Sequence, residues 1–474
     1  MTVLERLASF AAAEQAREYS PALLHHAKRA LVDWFAALLP GAAHAQTRRL
    51  ADALRDELGY GRSYVYGIGC RAPLRTAALI NAAASHIVEF DDIYRDALYH
   101  PGCPTIGAAL AAAQARGVRP ETLLRAIIVG YEVSARIGVA VQPSHYRFWH
   151  TTGTVGTFGA AAAVATVLGL DAERTMHALA NAGTMAAGLQ QAFRSDSMAK
   201  PLHAGHAAEA GALAALGARE GLTGARDLLE GKAGFGAAMS READWDRAVA
   251  DLGQRYAIAE MTFKNHGCCG HIFAAIDAAL ELRQQMRLEP ERIAHVEIGT
   301  YQVALDVTGA VRHPASPFEG RFSMAFAVAN ALVHGSVRLA AFTPEGLVDA
   351  RVNALAEKVQ LRVDARCERA FPRQRSAVVA IQTVEGSRME RFQPTRKGDP
   401  DAPLSDAELT DKLLELGGPV LGPAQAQALA HSLWRLDGSH VEFATRAAPD
   451  GAAGRAESAV GAGLNGGESS RERT

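Results

Sequence analysis

IAHVEIGTYQVALDV, Ile293 to Val307, alternates like a β-strand in a chain that until then reads as helix after helix. A helix from about His271 to Met286 leads into it, and two more follow, FSMAFAVANALVHG (322–335) and PEGLVDARVNALAEKV (344–359). Then come the short strand VQLRV (359–363) and SAVVAIQTVEGSRMERFQPT (376–395), a hairpin turning at Glu385-Gly386. Residues 266–400 therefore mix helix and strand.

The flanks differ. SPALLHHAKRALVDWFAALLPG opens with Ser20 as N-cap and Pro21 at the first helical position. PLRTAALINAAASHIVEF repeats the pattern from Pro73, and PETLLRAIIVGYEVSARIG, TVGTFGAAAAVATVLGL and HAAEAGALAALGARE continue it. Several are rich in small residues on all sides, as closely packed buried helices are. No fixed period recurs, which sets aside a helical solenoid. Helix returns at SDAELTDKLLELGG, where Ser405 and Glu408 make a capping box, and at GPAQAQALAHSLWRLDG.

The expected fold is mainly α. A large all-helical domain, residues 1–265 and 401–446, carries an inserted smaller α+β lid domain, 266–400. Residues 447–474 are Gly, Ala, Ser and charge without apolar pattern, which reads as a disordered tail.

Bulk composition narrows the function. A chain of 474 residues exceeds what one core supports, so two domains are the default. Lys plus Arg (49) nearly balance Asp plus Glu (51), so neither a nucleic-acid surface nor an acidic tail is indicated. Five scattered cysteines suit a reducing compartment better than a disulfide framework. The N-terminus lacks the apolar run of a secretory signal, and FGAAAAVATVLGL is too short to span a bilayer. A cytoplasmic protein without nucleic-acid or membrane partners is expected.

Four segments carry candidate chemistry. EFDDIYRDALYHPG (89–102) places four acids and His100 in an Ala-rich context. His86, Glu89 and Phe90 share a helical face near its end, and Asp91-Asp92 enter the connection. Crowded carboxylates raise at least one pKa when buried, although such a segment read alone is more often a solvated loop. In RFWHTTGTVGTFG, His150 precedes a helix start whose free N–H groups favour an anion; Thr151 or Thr152 also suits a plain N-cap. In MAKPLHAGHAAEAG, Lys200, His203 and His206 cluster at a helix start, which suits a carboxylate-rich ligand better than a metal. KNHGCCGH (264–271) has adjacent Cys268 and Cys269, poor spacing for zinc or an iron–sulfur cluster. A glycine-rich hinge with Lys264 or His271 facing a cleft fits better.

The order of these segments is specific. NAAASHIVEFDD…HPGCPTIGAALAAA, FWHTTGTVGTFGAAAAVATVLGLD, KPLHAGHAAEAGALAA…LTGARDLLEGKAGF, CCGHIFAAIDAALEL, RFSMAFAVANALVHGSVRLAAFT and KGDPDAPLSDAEL together resemble the 2-methylcitrate dehydratase (MmgE/PrpD) family. Its relatives include cis-aconitate decarboxylase and iminodisuccinate epimerase. The resemblance spans about residues 5 to 440. It implies a homodimer, an active site between helical domain and lid, and chemistry with no metal and no cofactor. The family's acidic D-F-D-D segment falls on Glu89-Phe90-Asp91-Asp92, its next His on His100, and the His before the Thr/Gly helix on His150. The Lys of its K-P-L-H motif falls on Lys200 beside His203, and its hinge Lys on Lys264.

This implies a lyase that removes or adds water on a small di- or tricarboxylate by proton abstraction next to a carboxylate. An epimerase of the same chemistry, or a non-catalytic carboxylate binder, are the alternatives. His100 and His150 are the expected acid and base, oriented by Glu89 or Asp91. Lys200 is the further catalytic residue, and Lys264, His203, Asp92, His271 and Cys269 are the expected substrate contacts. Departures from the family pattern are Glu89 for the first Asp, Ile93 for a Thr, Cys269 for a His of the decarboxylase branch, and Phe326 for a Tyr. They point away from cis-aconitate decarboxylase.

Overall fold

The helix Thr151–Val167 is buried along its whole length in the computed structural model, which describes residues 1–193, 197–436, 441 and 443. Its sequence is small or apolar on every side and carries no charge, so no face gains by meeting water. The helices Gly102–Arg116, Pro120–Val141 and Ala199–Arg219 pack around it. Small residues set the spacing. A Cβ on Gly211 would stand 2.6 Å from the Thr157 carbonyl oxygen, and one on Gly159 2.8 Å from Ser134 Oγ. These backbones meet where side chains would hold them apart.

The larger unit is not wholly helical, contrary to the expectation. Strands β1 (Ser63–Val65) and β2 (Cys70–Ala72) form a short antiparallel hairpin, turning through Gly67 and Gly69 at φ of 78° and 75°. Three-residue strands are too short to register as alternation. A second difference bears on function. The helix starting after Pro73 ends at Ser85 and does not run to Phe90. Beyond it the chain turns to satisfy buried polar groups: Asp91 meets His86, the Asp92 carboxylate accepts the Gly102 N–H, and the Phe90 carbonyl accepts from Lys412. Those bonds override helical propensity.

In the smaller unit, Ile293–Val307 divides at Tyr301. Strand β3 (Ile293–Thr300) pairs parallel with β4 (Val359–Val363) and antiparallel with β5 (Ala377–Thr383), which pairs with β6 (Arg388–Gln393). The sheet order is β4–β3–β5–β6. Pairing with β4 ends at Thr300↔Val363, and without a partner strand Gln302–Thr308 coils into a helix that buries Ala304 and Thr308. The helix Phe273–Gln285 packs on this sheet and against the helix Met324–His334.

Side chains between Cys268 and Ile381 close a core of their own, whereas Leu404, Leu409, Leu413 and Leu416 join the core of the helix Pro21–Ala42. The fold is thus mainly α, with a smaller α+β unit inserted before the last helices, Asp406–Leu421 and Pro423–Arg435. The Ser405–Glu408 capping box opens the first of these. The expected tail, 447–474, lies outside the described residues. Among the described residues no helix is long and apolar enough to cross a membrane.

Candidate active site

Two helix starts bring two histidines together. His100 precedes the helix Gly102–Arg116, His150 is the N-cap of Thr151–Val167, and the His100 N–H reaches Thr152 Oγ1 at 3.3 Å. The positive ends of both helices favour neutral imidazole there. Between them lies His86, its ring stacked on His150 with centroids 5.4 Å apart and edge-on to His100 at 5.1 Å.

Asp91 ties this group together. Its Oδ2 lies 2.7 Å from His86 Nδ1 and 2.9 Å from His100 Nδ1, and accepts from Cys103 Sγ at 3.3 Å. Its Oδ1 faces Lys264 Nζ at 3.5 Å. His100 Nδ1 also lies 2.8 Å from the Asp92 carbonyl oxygen. Both neighbours of that nitrogen are acceptors, so Nδ1 carries the proton and Nε2 the lone pair. His86, Asp91 and Cys103 offer atoms within 4.8 Å of one another, as a metal site would. Burial pushes the Cys103 thiol well above its usual range, and it donates to Asp91 Oδ2, whereas His86 Nε2 is buried without a hydrogen-bond partner among the described residues.

Glu89 carries the other half of the network. It pairs with Lys200 and lies 3.3 Å from Lys264 Nζ. Its φ of 60° is left-handed, a conformation that costs a non-glycine residue about 1 kcal/mol or more. Below it, Lys412 Nζ bonds Asp33 Oδ1 at 2.6 Å and the Phe90 carbonyl at 2.8 Å. The last helical segment thereby holds the turn that presents Glu89 and Asp91.

The electrostatics follow from burial and pairing. Burial works to raise the carboxyls, but Lys200 and Lys264 hold Glu89 low, and Lys264 with His100 and His86 hold Asp91 well below its usual range. Burial works to lower Lys264, and Asp91 and Glu89 outweigh it, so its ammonium is held above the usual range. Burial takes His100 down to about 4 against the pull of Asp91. It takes His150 well below 6.5 with help from His86 and Lys200. Both imidazoles are neutral at pH 7.

A cavity of about 560 Å³ opens onto these groups. Of the expected residues, Glu89, His100, His150, Lys200, Lys264, Cys269 and His271 line it. Asp91, Asp92 and His203 do not. Asp91 sits behind His100 and Lys264. His203 Nδ1 lies 3.1 Å from His150 Nδ1, and burial brings its pKa to about 4. Asp92, expected at the substrate, accepts from the Gly102 N–H at 3.0 Å and from Tyr131 Oη at 2.7 Å, and burial raises it to about 7. Of the departures, Ile93 lines the cavity, whereas Phe326 is fully buried in the second core and does not touch it.

Sequence reasoning missed three residues. His86 was placed on its helix without a role. Arg375 and Arg396 also line the cavity, with His271, whose Nδ1 lies 2.6 Å from Tyr301 Oη. Burial and those arginines bring His271 to about 3. Only Arg396 had a local signal: it directly precedes the KGDPDAPLSDAEL motif, whose Asp399 it grips. A second cavity, near Glu132 and Arg136, has those two charges paired with each other at 2.5 Å.

Residues 5–248 match the MmgE/PrpD N-terminal domain, and residues 266–436 match the MmgE/PrpD C-terminal domain. The chain is 27% identical over 443 residues to the cis-aconitate decarboxylase-like protein oryM of Aspergillus oryzae, covering 88% of this chain and 91% of that protein. It is 31% identical over 307 residues to the cis-aconitate decarboxylase of Mus musculus, covering 61% of each chain. The human cis-aconitate decarboxylase is 29% identical over 300 residues, 61% of this chain and 62% of that one. The alignments thus span about three-fifths of the mouse and human relatives.

Proposed function

The chain belongs to the MmgE/PrpD family, and from that premise we propose that it is a cofactor-independent lyase that removes water from, or adds it to, a small di- or tricarboxylate. One observation carries the reading: Glu89, His100, His150, Lys200 and Lys264 share one wall of a cavity large enough for such an acid. Cations at fixed positions neutralise the substrate carboxylate and the enolate-like charge that develops when the neighbouring carbon loses its proton. Lys200 and Lys264 supply them, and Glu89 and Asp91 fix their positions.

His100 takes the carbon proton on Nε2. It is neutral at pH 7, and the imidazolium it becomes is met by Asp91 at Nδ1. The electrons of the broken C–H bond form the double bond. The hydroxyl departs from the next carbon as water, with its proton supplied by His150, and the proton held on His100 is passed back to His150 to restore both neutral rings. A neutral imidazole at a helix start is suited to that donor role. His203, against His150 Nδ1, fixes the tautomer.

Decarboxylation is a second reading, favoured by the names of the relatives. It uses the same cationic wall: the C–CO2 bond breaks with its electron pair left on carbon, the lysines meet the enolate-like charge, and His100, protonated from solvent, delivers a proton to that carbon. Cys269, in the cavity wall where the decarboxylase branch has a His, weighs on the side of dehydration. Purified protein mixed with 2-methylcitrate, citrate and cis-aconitate separates the readings. New alkene absorbance without CO2 supports the hydro-lyase, CO2 release the decarboxylase, and loss of optical activity alone an epimerase. Inertness toward the whole panel contradicts the proposal.

A homodimer belongs to the same proposal. Phe148, Leu189, Met198 and Leu202 are about half exposed, at 44–56%, an apolar group that a second copy would cover. Light scattering on the purified protein tests it.

A further inference from the structure

Among the described residues, four Lys or Arg side chains line the cavity: Lys200, Lys264, Arg375 and Arg396. Three have acids of the chain to answer them. Lys200 and Lys264 meet Glu89, and Arg396 grips Asp399 with two parallel bonds of 2.7 and 2.9 Å. Arg375 differs. Among the described residues it makes no ion pair and no hydrogen bond, although it is only partly exposed. Burial lowers its pKa, and the strongest charge upon it is that of Arg396, of the same sign. The other acid at the cavity, Glu319, accepts the Ala315 N–H at 2.7 Å.

We infer that Arg375 is the subsite for a second substrate carboxylate, one that takes no part in bond breaking. The inference rests on the carboxylate lyase proposed above. A half-enclosed guanidinium without a hydrogen-bonded acid of its own is costly, and a ligand carboxylate removes that cost while accepting two parallel N–H bonds. The planar fork of arginine gives orientation as well as charge. His271 beside it is neutral, so it does not compete for the anion. The remaining lining on this side includes Val307, Val311 and Phe322, which offer no rival site. A substrate is then held at two places: at the lysines where bonds break, and at Arg375 where nothing reacts. Binding energy gained remotely in this way orients the reacting carbon.

The test is calorimetric binding of propane-1,2,3-tricarboxylate, which has no hydroxyl to lose, and of butyrate, to wild type, Arg375→Gln and Arg375→Lys. Arg375 has no internal partner among the described residues, so both variants are expected to melt like wild type. Arg375→Gln should weaken the tricarboxylate by about tenfold or more and leave butyrate unchanged, with Arg375→Lys recovering part of the loss. Equal tricarboxylate affinity in wild type and Arg375→Gln overturns the subsite and leaves the lyase proposal standing. Failure of wild type to bind either probe overturns both.

Discussion

On the helical side of the cavity, Lys200, Lys264, Glu89 and Asp91 answer one another within the protein, whereas Arg375 of the α+β unit makes no ion pair among the described residues and feels Arg396 more strongly than Asp399. The first wall is complete before any ligand arrives. Its cations are fixed by acids, and Asp91 in turn by two histidines and a thiol. Such a wall reorganises little when charge develops, which is what stabilising a transition state requires. The second wall is incomplete and gains most from an incoming anion, which is what binding requires. On the proposed reading, chemistry falls to the paired groups and recognition to the unpaired arginine of the same cavity.

Substitutions that break the first wall should cost most. His100→Ala and Lys200→Ala should each lower kcat by about 10²–10⁴-fold with thermal melting little changed, as measured by steady-state kinetics on the active acid. Near-normal turnover in either variant removes that wall from the chemistry. Lys412→Met attacks its support. It strands the buried Asp33 and frees the Phe90 carbonyl, so it should destabilise by about 3–5 kcal/mol in urea unfolding. Adding Asp33→Asn should recover much of that loss; no recovery means the pair is not what Lys412 supplies.

Asp91→Asn sharpens the comparison through pH. With His100 near 4, activity should hold from neutrality down to about pH 5 and fall below it. Asp91 pulls the His100 pKa upward, so removing its charge should move that acidic limb to lower pH while kcat/KM falls about 10²-fold. A limb that stays in place contradicts the pairing.

The smallest effect is expected at Asp92. Its native pKa of about 7 exceeds the ordinary 3.8, so the folded state holds a proton that the unfolded chain releases. The stability this gives is complete in acid and is lost as pH rises from about 4 through 7. Asp92→Asn removes the dependence, and the fall in Tm between pH 5 and pH 8 should shrink. A variant whose Tm falls as steeply as wild type excludes Asp92 as the source.

The first wall was readable in sequence because charge is rare around it. EFDDIYRDALYHPG stands out against alanine, and the order of the His150, Lys200 and Lys264 segments makes it a site edge. Its local form was not readable. Nothing in PLRTAALINAAASHIVEF marks the stop at Ser85, since the helix yields there to bonds with Gly102 and Lys412, the latter far along the chain. The same holds for Ile293–Val307, where the strand ends because its partner β4 does. Arg375 lies in PRQRS with Arg373, Gln374 and Ser376, and only the packing decides which arginine faces the cavity. Residues whose role depends on distant partners leave no local trace.

The central claim is proton removal next to a carboxylate by the helical wall, and solvent exchange tests it without knowledge of the product. Wild type and Lys200→Ala are incubated in D2O with 2-methylcitrate, citrate and cis-aconitate and followed by proton NMR. Deuterium should enter a carbon next to a carboxylate in at least one acid with wild type, and in none with Lys200→Ala. No exchange into any of the three with wild type that binds propane-1,2,3-tricarboxylate would contradict the account and leave a carboxylate-binding protein without this chemistry.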